Sequence, residues 1–555
     1  MKGCAGGCVS GQAVATISVA FDGSAGGADS DADPDYFQDL RLDQVQASLR
    51  RRGRIDVSPL FRRRLDDVGT IRRRLGVFAD LQRDSELRAG LLRFVETMER
   101  VRGCRKNATD LHHDHQRRGW LLEGARSYLR AVRDLVGLLN AAAELGSGLA
   151  AIADHLSSLQ QGEAFRSFAT ETAEVDRGLA TIRYVVRIKG LRVTVSLETD
   201  QPSDDGYDYS AQVADTFARL QQMAAKSHVS KLTDTTSMSY VESDILDRVA
   251  RLDPAPFDAL RRFCDDHTDF LDPVLVRFDE EVQFFLRYLD VVTRLSARGV
   301  SFCHPELIEP GDPDRDEQVE DVVDLALALA LAPGTDGRPV GNDFARSGAE
   351  RVLVVSGPNQ GGKSTFCRSV GQLYHLAAIG CPVPARSARV RLASSIDTHF
   401  ERQEESADVG GKLENDLRRI HAVLSRADAG SVILINEMFS STTLADAEFL
   451  GTKIIEQIAA KEAFGVYVTF VEALATLGQE TVSMVSATDP EDPTRRTFQV
   501  LRSAPTGHHY AKALAERYGL VRGAVTDAIE ARPAAVELDR DRPARQGRHD
   551  QEANS

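Results

Sequence analysis

The chain has 555 residues and a mass of 60.7 kDa, 42% hydrophobic and 27% charged, which suits a soluble globular protein of about three to five domain-sized units. Its 68 basic and 83 acidic side chains leave a formal charge of −15, which excludes a general polyanion binder and confines any DNA contact to local clusters of Lys and Arg. The longest apolar run, Val322 to Ala332, is interrupted by Asp324 and falls short of the roughly 20 apolar residues that a bilayer span needs, so no membrane is expected.

Residues 1–35 are rich in Gly, Ala, Ser and Asp and are expected to be disordered. The seven cysteines include no CxxC pair and point to reduced thiols in a cytoplasmic protein. Residues 36–299 carry helical periodicity. Leu87, Leu91, Phe94, Met98 and Val101 form one stripe; Ala125, Tyr128, Val132, Leu135 and Leu139 form another. Leu275, Phe278, Val282, Phe285, Leu289 and Val292 form a third, with Gly299 as a stop. Between them Ile182, Tyr184, Val186 and Ile188 alternate with other residues, as do Leu191, Val193, Val195 and Leu197 after Lys189-Gly190. That pattern predicts a β-hairpin at about 180–200, followed by a polar loop from Asp200 to Asp208. The acidic stretch Pro310 to Asp321 reads as a loop. Beyond it, short β-branched runs (Val352–Val355, Val432–Ile435, Val466–Thr469, Thr481–Val485) alternate with helical segments, the pattern of an α/β domain over 300–530. The charged tail 531–555 is expected to be disordered.

Within that domain the strand Arg351 to Ser356 runs into Gly357-Pro358-Asn359-Gln360-Gly361-Gly362-Lys363-Ser364-Thr365 and then a helix. This fits G-x-x-x-x-G-K-[ST] in a strand–loop–helix setting. Glycines there let backbone N–H groups face phosphate oxygens, the helix N-terminus adds partial positive charge, Lys363 reaches the β- and γ-phosphates, and Ser364 offers a hydroxyl to Mg²⁺. The expected cofactors are ATP and Mg²⁺. A second strand, Ser431 to Asn436, ends at Glu437, which is placed to orient or deprotonate an attacking water. Asn436 stands where such strands usually carry Asp. Its amide oxygen can accept from a Mg²⁺-bound water but adds no charge, so weaker metal binding is expected.

Gly357 to Thr365 resembles the P-loop of the MutS DNA mismatch-repair ATPases, and the resemblance continues in order. It takes in His304-Pro305-Glu306, the Asn342-Asp343 pair expected near the adenine, Leu376 to Ala385, Ser440 to Ala447, and the closing segment Pro505-Thr506-Gly507 with Tyr510-Ala511 and Gly519-Leu520. Asp39 to Gln44 and the helices after it are similar, less distinctively, to the family's core and lever region. The resemblance implies a multidomain fold: a mainly α-helical core/lever region over 36–299 with the hairpin inserted, then an ABC-type α/β P-loop ATPase domain over 300–530. It also implies a homodimer paired through the ATPase domains and clamped on double-stranded or branched DNA.

Three departures bear on turnover. The family's Ser that reaches a partner's γ-phosphate aligns with Gly411, beside Gly410 and Lys412. The switch His after Thr469 is Phe470. Asn436 replaces Asp. ATP hydrolysis is therefore expected, but slow. The N-terminal mismatch-reading domain is expected to be missing: of the two Phe-x-Glu letter matches, Phe94 lies on a helix's apolar stripe and Phe470 follows a buried strand. No Smr-type nuclease tail is expected after the ATPase segment.

His112 and His115 read as neighbours on a solvated helix face rather than a metal site. The triplets Arg50–Arg52, Arg62–Arg64 and Arg72–Arg74 read as solvated faces, with phosphate contact as the alternative. Trp120 reads as a core anchor. The function expected is an ATP-dependent, MutS-like DNA clamp in mismatch repair or DNA-structure sensing. The alternative is a nucleotide-gated assembly protein with little hydrolysis and no direct DNA readout. An SMC-like machine is disfavoured because no long heptad arms flank the ATPase segments.

Overall fold

The computed structural model describes residues 17–21, 32–50, 55–189, 192–197, 238, 240–309, 312, 314–331, 339–401, 411–489, 491–492, 495–505, 515 and 518. Gly190, the loop 200–208, Gly410, the segment 506–511, Gly519-Leu520 and the tail 531–555 lie outside the described residues.

The helical half runs α1 (Tyr36–Asp39), α2 (Leu42–Arg50), α3 (Ser58–Arg62), α4 (Val68–Arg83), α5 (Ser85–Asp110), α6 (Asp114–Ala141), α7 (Ser147–Gln161) and α8 (Glu163–Ala180). Then come β1 (Tyr184–Lys189) and β2 (Arg192–Leu197), followed by α9 (Tyr240–Leu252), α10 (Pro254–Asp266) and α11 (Pro273–Ser296). Side-chain caps fix the boundaries. Asp84 ends α4 and starts α5, accepting from the Glu86 and Leu87 amides at 2.9 Å each; Asp272, followed by Pro273, opens α11. The long helices α5 and α6 pack side by side, and both stripes are buried: Leu87, Leu91, Phe94, Met98 and Val101 on α5, and Ala125, Tyr128, Val132, Leu135 and Leu139 on α6. β1 and β2 form an antiparallel hairpin with Tyr184 opposite Leu197 and Lys189 opposite Arg192.

Among the described residues the α/β half holds two sheets. β3 (Glu306–Ile308), β4 (Glu317–Val322), β5 (Asn342–Arg346) and β7 (Ser387–Arg391) form a mixed sheet of order β3-β7-β4-β5. β6 (Val352–Ser356), β8 (Ser395–Phe400), β9 (Ser431–Asn436), β10 (Phe464–Val468), β11 (Thr481–Thr488) and β12 (Arg496–Arg502) form a larger sheet of order β12-β11-β6-β10-β9-β8. All its pairs are parallel except β11–β12. β6 and β10 are buried at every position, as expected of parallel strands covered on both faces. Among the described residues the α-helices of this half are α12 (Leu325–Ala330), α13 (Lys363–Ala378), α14 (Lys412–Arg426) and α15 (Leu444–Ala460), with a 3-10 turn at Glu472–Thr476.

One apolar core runs through both halves, so residue 300 divides the sequence but not the packing. The last turns of α13 dock on the N-terminal helices. His375 is fully buried, its ring against Phe37 and Phe61 at 5.1 and 5.3 Å. Its Nε2 lies 3.0 Å from the Phe61 carbonyl and its Nδ1 3.1 Å from the Tyr36 hydroxyl. A carbonyl only accepts, so Nε2 carries the proton and Nδ1 accepts from Tyr36.

Several expectations are corrected. Residues 17–21 belong to the segment expected to be disordered, yet Ser18, Val19 and Ala20 are buried. The Glu281 carboxylate of α11 accepts from the Ser18 hydroxyl and from the Val19 and Ala20 amides at 2.8 to 3.1 Å, which satisfies a backbone that composition alone left without partners. The two described arginine triplets are solvated only in part: Arg72 is exposed and pairs with Glu309 at 2.6 Å, while the others turn inward. Arg64 donates to the Ser394 carbonyl and Arg73 to Ser18. Fully buried Arg74 donates to the Ala20 and Ile379 carbonyls at 2.8 and 2.9 Å and stacks on Phe21 at 4.8 Å. The acidic loop ends as a strand: Glu317 of β4 is buried because Arg346, Tyr374 and Arg391 surround it. His112 and His113 precede α6 rather than continuing a helix, and His113 bonds Asp247 at 3.0 Å. No group of three metal-ligating side chains occurs among the described residues. Trp120 is only half-buried.

Candidate nucleotide-binding site

β6 delivers the chain into the P-loop, and the loop's conformation needs its glycines. Gly357 has φ +117° and Gly362 φ +100°, values a side chain rarely adopts. Gly361 is required by contact: a Cβ there would lie 2.3 Å from Ser486 Oγ, which donates to the Gly361 carbonyl at 2.6 Å. Gly362 caps α13 and no side chain caps it, so the first-turn amides at Lys363, Ser364 and Thr365 are left to an anion.

Lys363 is buried beneath the loop. Its ammonium donates to the Gly357 carbonyl at 2.9 Å, the Pro358 carbonyl at 3.1 Å and Asn359 Oδ1 at 3.2 Å. Burial holds this ammonium below the usual lysine range, against the opposing pull of the Glu437 carboxylate 3.9 Å away. Gln360 sits at the tip with φ +60° and accepts from Arg496 at 2.8 Å.

Asn436 ends β9, opposite Phe400 of β8 and Val468 of β10. Its Oδ1 is buried and has no hydrogen-bond partner among the described residues. An unsatisfied buried acceptor costs about 1–3 kcal/mol, so this atom is set to receive a donor. Glu437 turns out of the strand with φ +55°, its amide donating to the Val468 carbonyl at 3.0 Å. Its carboxylate is thereby aimed at the Lys363 side of the loop.

Asn342 opens β5 and accepts from the Val500 amide at 2.6 Å, which ties β5 to β12 beside Gly362. Asp343 accepts from the Asp321 amide at 2.7 Å and so buttresses β4. Gly411 begins α14, and among the described residues no hydrogen bond joins it to the P-loop. Lys412 beside it pairs with Glu401. Buried Thr469 accepts from the Val471 amide at 3.0 Å, leaving Phe470 exposed. Phe94, by contrast, is buried in the α5 stripe. Sequence reasoning missed Ser486, Arg496 and the Arg368–Asp324 pair under the P-loop helix. Each comes from a distant segment and has no local motif.

The family model for MutS domain V matches residues 353–530. Over 230 residues the chain is 29% identical to an "Endonuclease MutS2" of Thermomicrobium roseum, covering 41% of this chain and 29% of that protein. It is 26% identical over 212 residues to "DNA mismatch repair protein MSH4" of Arabidopsis thaliana, covering 37% and 26%. It is 30% identical over 161 residues to "DNA mismatch repair protein MutS" of Brevibacillus brevis, covering 29% and 18%. The matched region thus spans less than a third of each of these relatives. The domain that holds this loop is similar to domain V of the MutS proteins, over the part of the chain that these relatives share.

Proposed function

We propose that the chain binds ATP at the 357–365 loop and hydrolyses it slowly, using nucleotide state to gate a homodimer paired through its α/β domains on double-stranded or branched DNA. The observation that carries this reading is the loop itself: a glycine cradle at the uncapped N-terminus of α13, with a buried lysine beneath it. Lys363 would bind the β- and γ-phosphates, and Asn342 and Asp343 would lie on the adenine side. Ser364 and Asn436, with Glu437 next to them, would hold Mg²⁺; the partnerless Asn436 Oδ1 fits a metal-bound water. The metal would supply charge neutralisation at the phosphates. Glu437, the carboxylate nearest the lysine, would orient or deprotonate the attacking water. Gly411 would complete the partner's site with backbone N–H groups.

Two departures support slow turnover. Asn436 brings no charge to the metal side, and exposed Phe470 cannot relay a proton. The relatives named for mismatch repair and endonuclease activity support a role in DNA repair. A second reading, assembly of partners without DNA, is favoured by one observation: the described arginine triplets spend their guanidinium groups on carbonyls and carboxylates of the same chain. DNA binding titrated against salt, with and without ATP, separates the two. A clamp shows ATP-dependent retention that Lys363→Ala abolishes, whereas ATP binding with no DNA retention at any salt favours assembly.

A further inference from the structure

Beneath the P-loop, one face of α13 carries an unbroken line of polar contacts. Arg368 Nη2 donates to Thr365 Oγ1 at 3.2 Å, and its Nε donates to Asp324 Oδ2 at 3.0 Å. The Asp324 side chain is wholly buried and that of Arg368 nearly so. The other Asp324 oxygen accepts from Gln372 Nε2 at 2.8 Å. Gln372 is itself fully buried, and the same amide nitrogen donates to the Leu40 carbonyl at 2.8 Å while its Oε1 accepts from the Leu325 amide at 2.7 Å. Leu40 is the corner between α1 and α2, where Arg41 turns with φ +56°. From that corner α2 and α3 lead to α11: Arg287 of α11 donates to the Ile55 carbonyl at 2.9 Å.

The phosphate end of this line has two bonding states open to it. An ammonium has three hydrogens, and Lys363 commits all three to its own loop. A triphosphate would take Lys363 only by displacing some of those bonds, and its oxygens would engage the uncapped first turn of α13, where Thr365 sits. A buried, fully bonded chain would pass on any shift of that turn, because moving one member alone would strand a buried charge or amide.

We propose that Arg368, Asp324 and Gln372 form a relay through which nucleotide at the P-loop is felt at the α1–α2 corner, with Arg368 as its positioning residue. The relay rests on the ATP-site reading. Arg368 is the branch point: its fork holds Thr365 and Asp324 together, a geometry a single ammonium does not reproduce.

The test is hydrogen exchange on the full chain, with and without ATP, for the parent, Arg368→Lys and Gln372→Leu. In the parent, ATP slows exchange in 357–366 and also alters it in 36–50. In Arg368→Lys, ATP affinity stays within about threefold and the change in 357–366 remains, while the change in 36–50 falls at least threefold. Gln372→Leu, which cuts the line one turn further on, gives the same split. A merely structural role would instead lower the melting temperature and speed exchange in 36–50 equally with and without ATP. That result, or an ATP effect on 36–50 that persists in a folded Arg368→Lys variant, overturns the relay. Should Arg368→Lys fail to fold, Gln372→Leu decides alone, since it strands no charge. No ATP effect even in 357–366 would overturn the ATP site instead, and the two failures are distinct.

Discussion

His375 offers a measurable handle on how the P-loop helix is docked. Burial pushes its imidazole down to about 3, with Arg64 acting in the same direction and the bond to Phe61 opposing. The folded value lies below the unfolded value of 6.5, so the contribution is intact above pH 6.5 and is lost as pH falls toward 3. Each pH unit below 6.5 costs roughly 1 kcal/mol or a little more while the folded ring stays neutral, so at about pH 4.5 the loss is on the order of 3 kcal/mol. His375→Gln removes the titration and keeps the shape of the bonding: an amide N–H can face Phe61 and an amide oxygen can face Tyr36. Urea unfolding of parent and variant at neutral pH and at about pH 4.5 cancels every other carboxylate and histidine. The parent should lose on the order of 3 kcal/mol more than the variant on acidification. Parallel losses would refute the claim that His375 is held neutral in the α1–α3 socket.

Glu437→Gln should keep ATP affinity within about threefold, lower turnover by about a hundredfold or more, and prolong the ATP-bound state; equal hydrolysis rates would remove Glu437 from the water-orienting role. Gly371→Ala on α13 would place a methyl 2.4 Å from Leu434 Cδ1 and 2.7 Å from both Leu40 methyls, at a cost of about 1–3 kcal/mol despite alanine's better helix propensity; a melting temperature equal to the parent's would mean that α13, β9 and α1 pack less tightly. Because Phe94 is core and Phe470 follows β10, DNA binding should separate a single mismatch from a perfect duplex by less than the roughly 1–3 kcal/mol of direct base readout; competition between the two duplexes at fixed salt would expose any hidden reader.

Legibility in the sequence followed the range of the interactions. The P-loop is local: strand, glycine cradle, lysine and helix lie within some fifteen residues, and every physical requirement is written in consecutive letters. The stripes of α5, α6 and α11 are local too, because a helix face repeats within a few turns. What escaped depended on partners far along the chain. Ser486 lies 125 residues from the glycine carbonyl it bonds, and Asp324 lies 44 from Arg368. Glu317 looks like a loop acid until Arg346 and Arg391 are placed beside it. Arginine triplets read alike on a surface and in an interior, and only the carbonyls facing them decide which they are. The strap 17–21 was hidden for a different reason: its short apolar run sits among glycines, and its stabilising group, Glu281, is 261 to 263 residues away.

The same distinction bears on how tightly the loop can hold a nucleotide. The Lys363 bonds to Gly357, Pro358 and Asn359 are ionic on one side only, each worth about 1.5–3 kcal/mol. Phosphate oxygens carry charge and offer shorter, stronger bonds to an ammonium, so in the proposed ATP site exchange of partners would run toward phosphate even though every hydrogen is already used. The net gain is a difference between two sets of charged bonds, not the full strength of the new one. Nucleotide affinity at this loop is therefore set as much by the acceptors that Lys363 must leave as by the phosphates it reaches, and Asn359, the single side chain among those acceptors, is the place where the sequence is free to tune it.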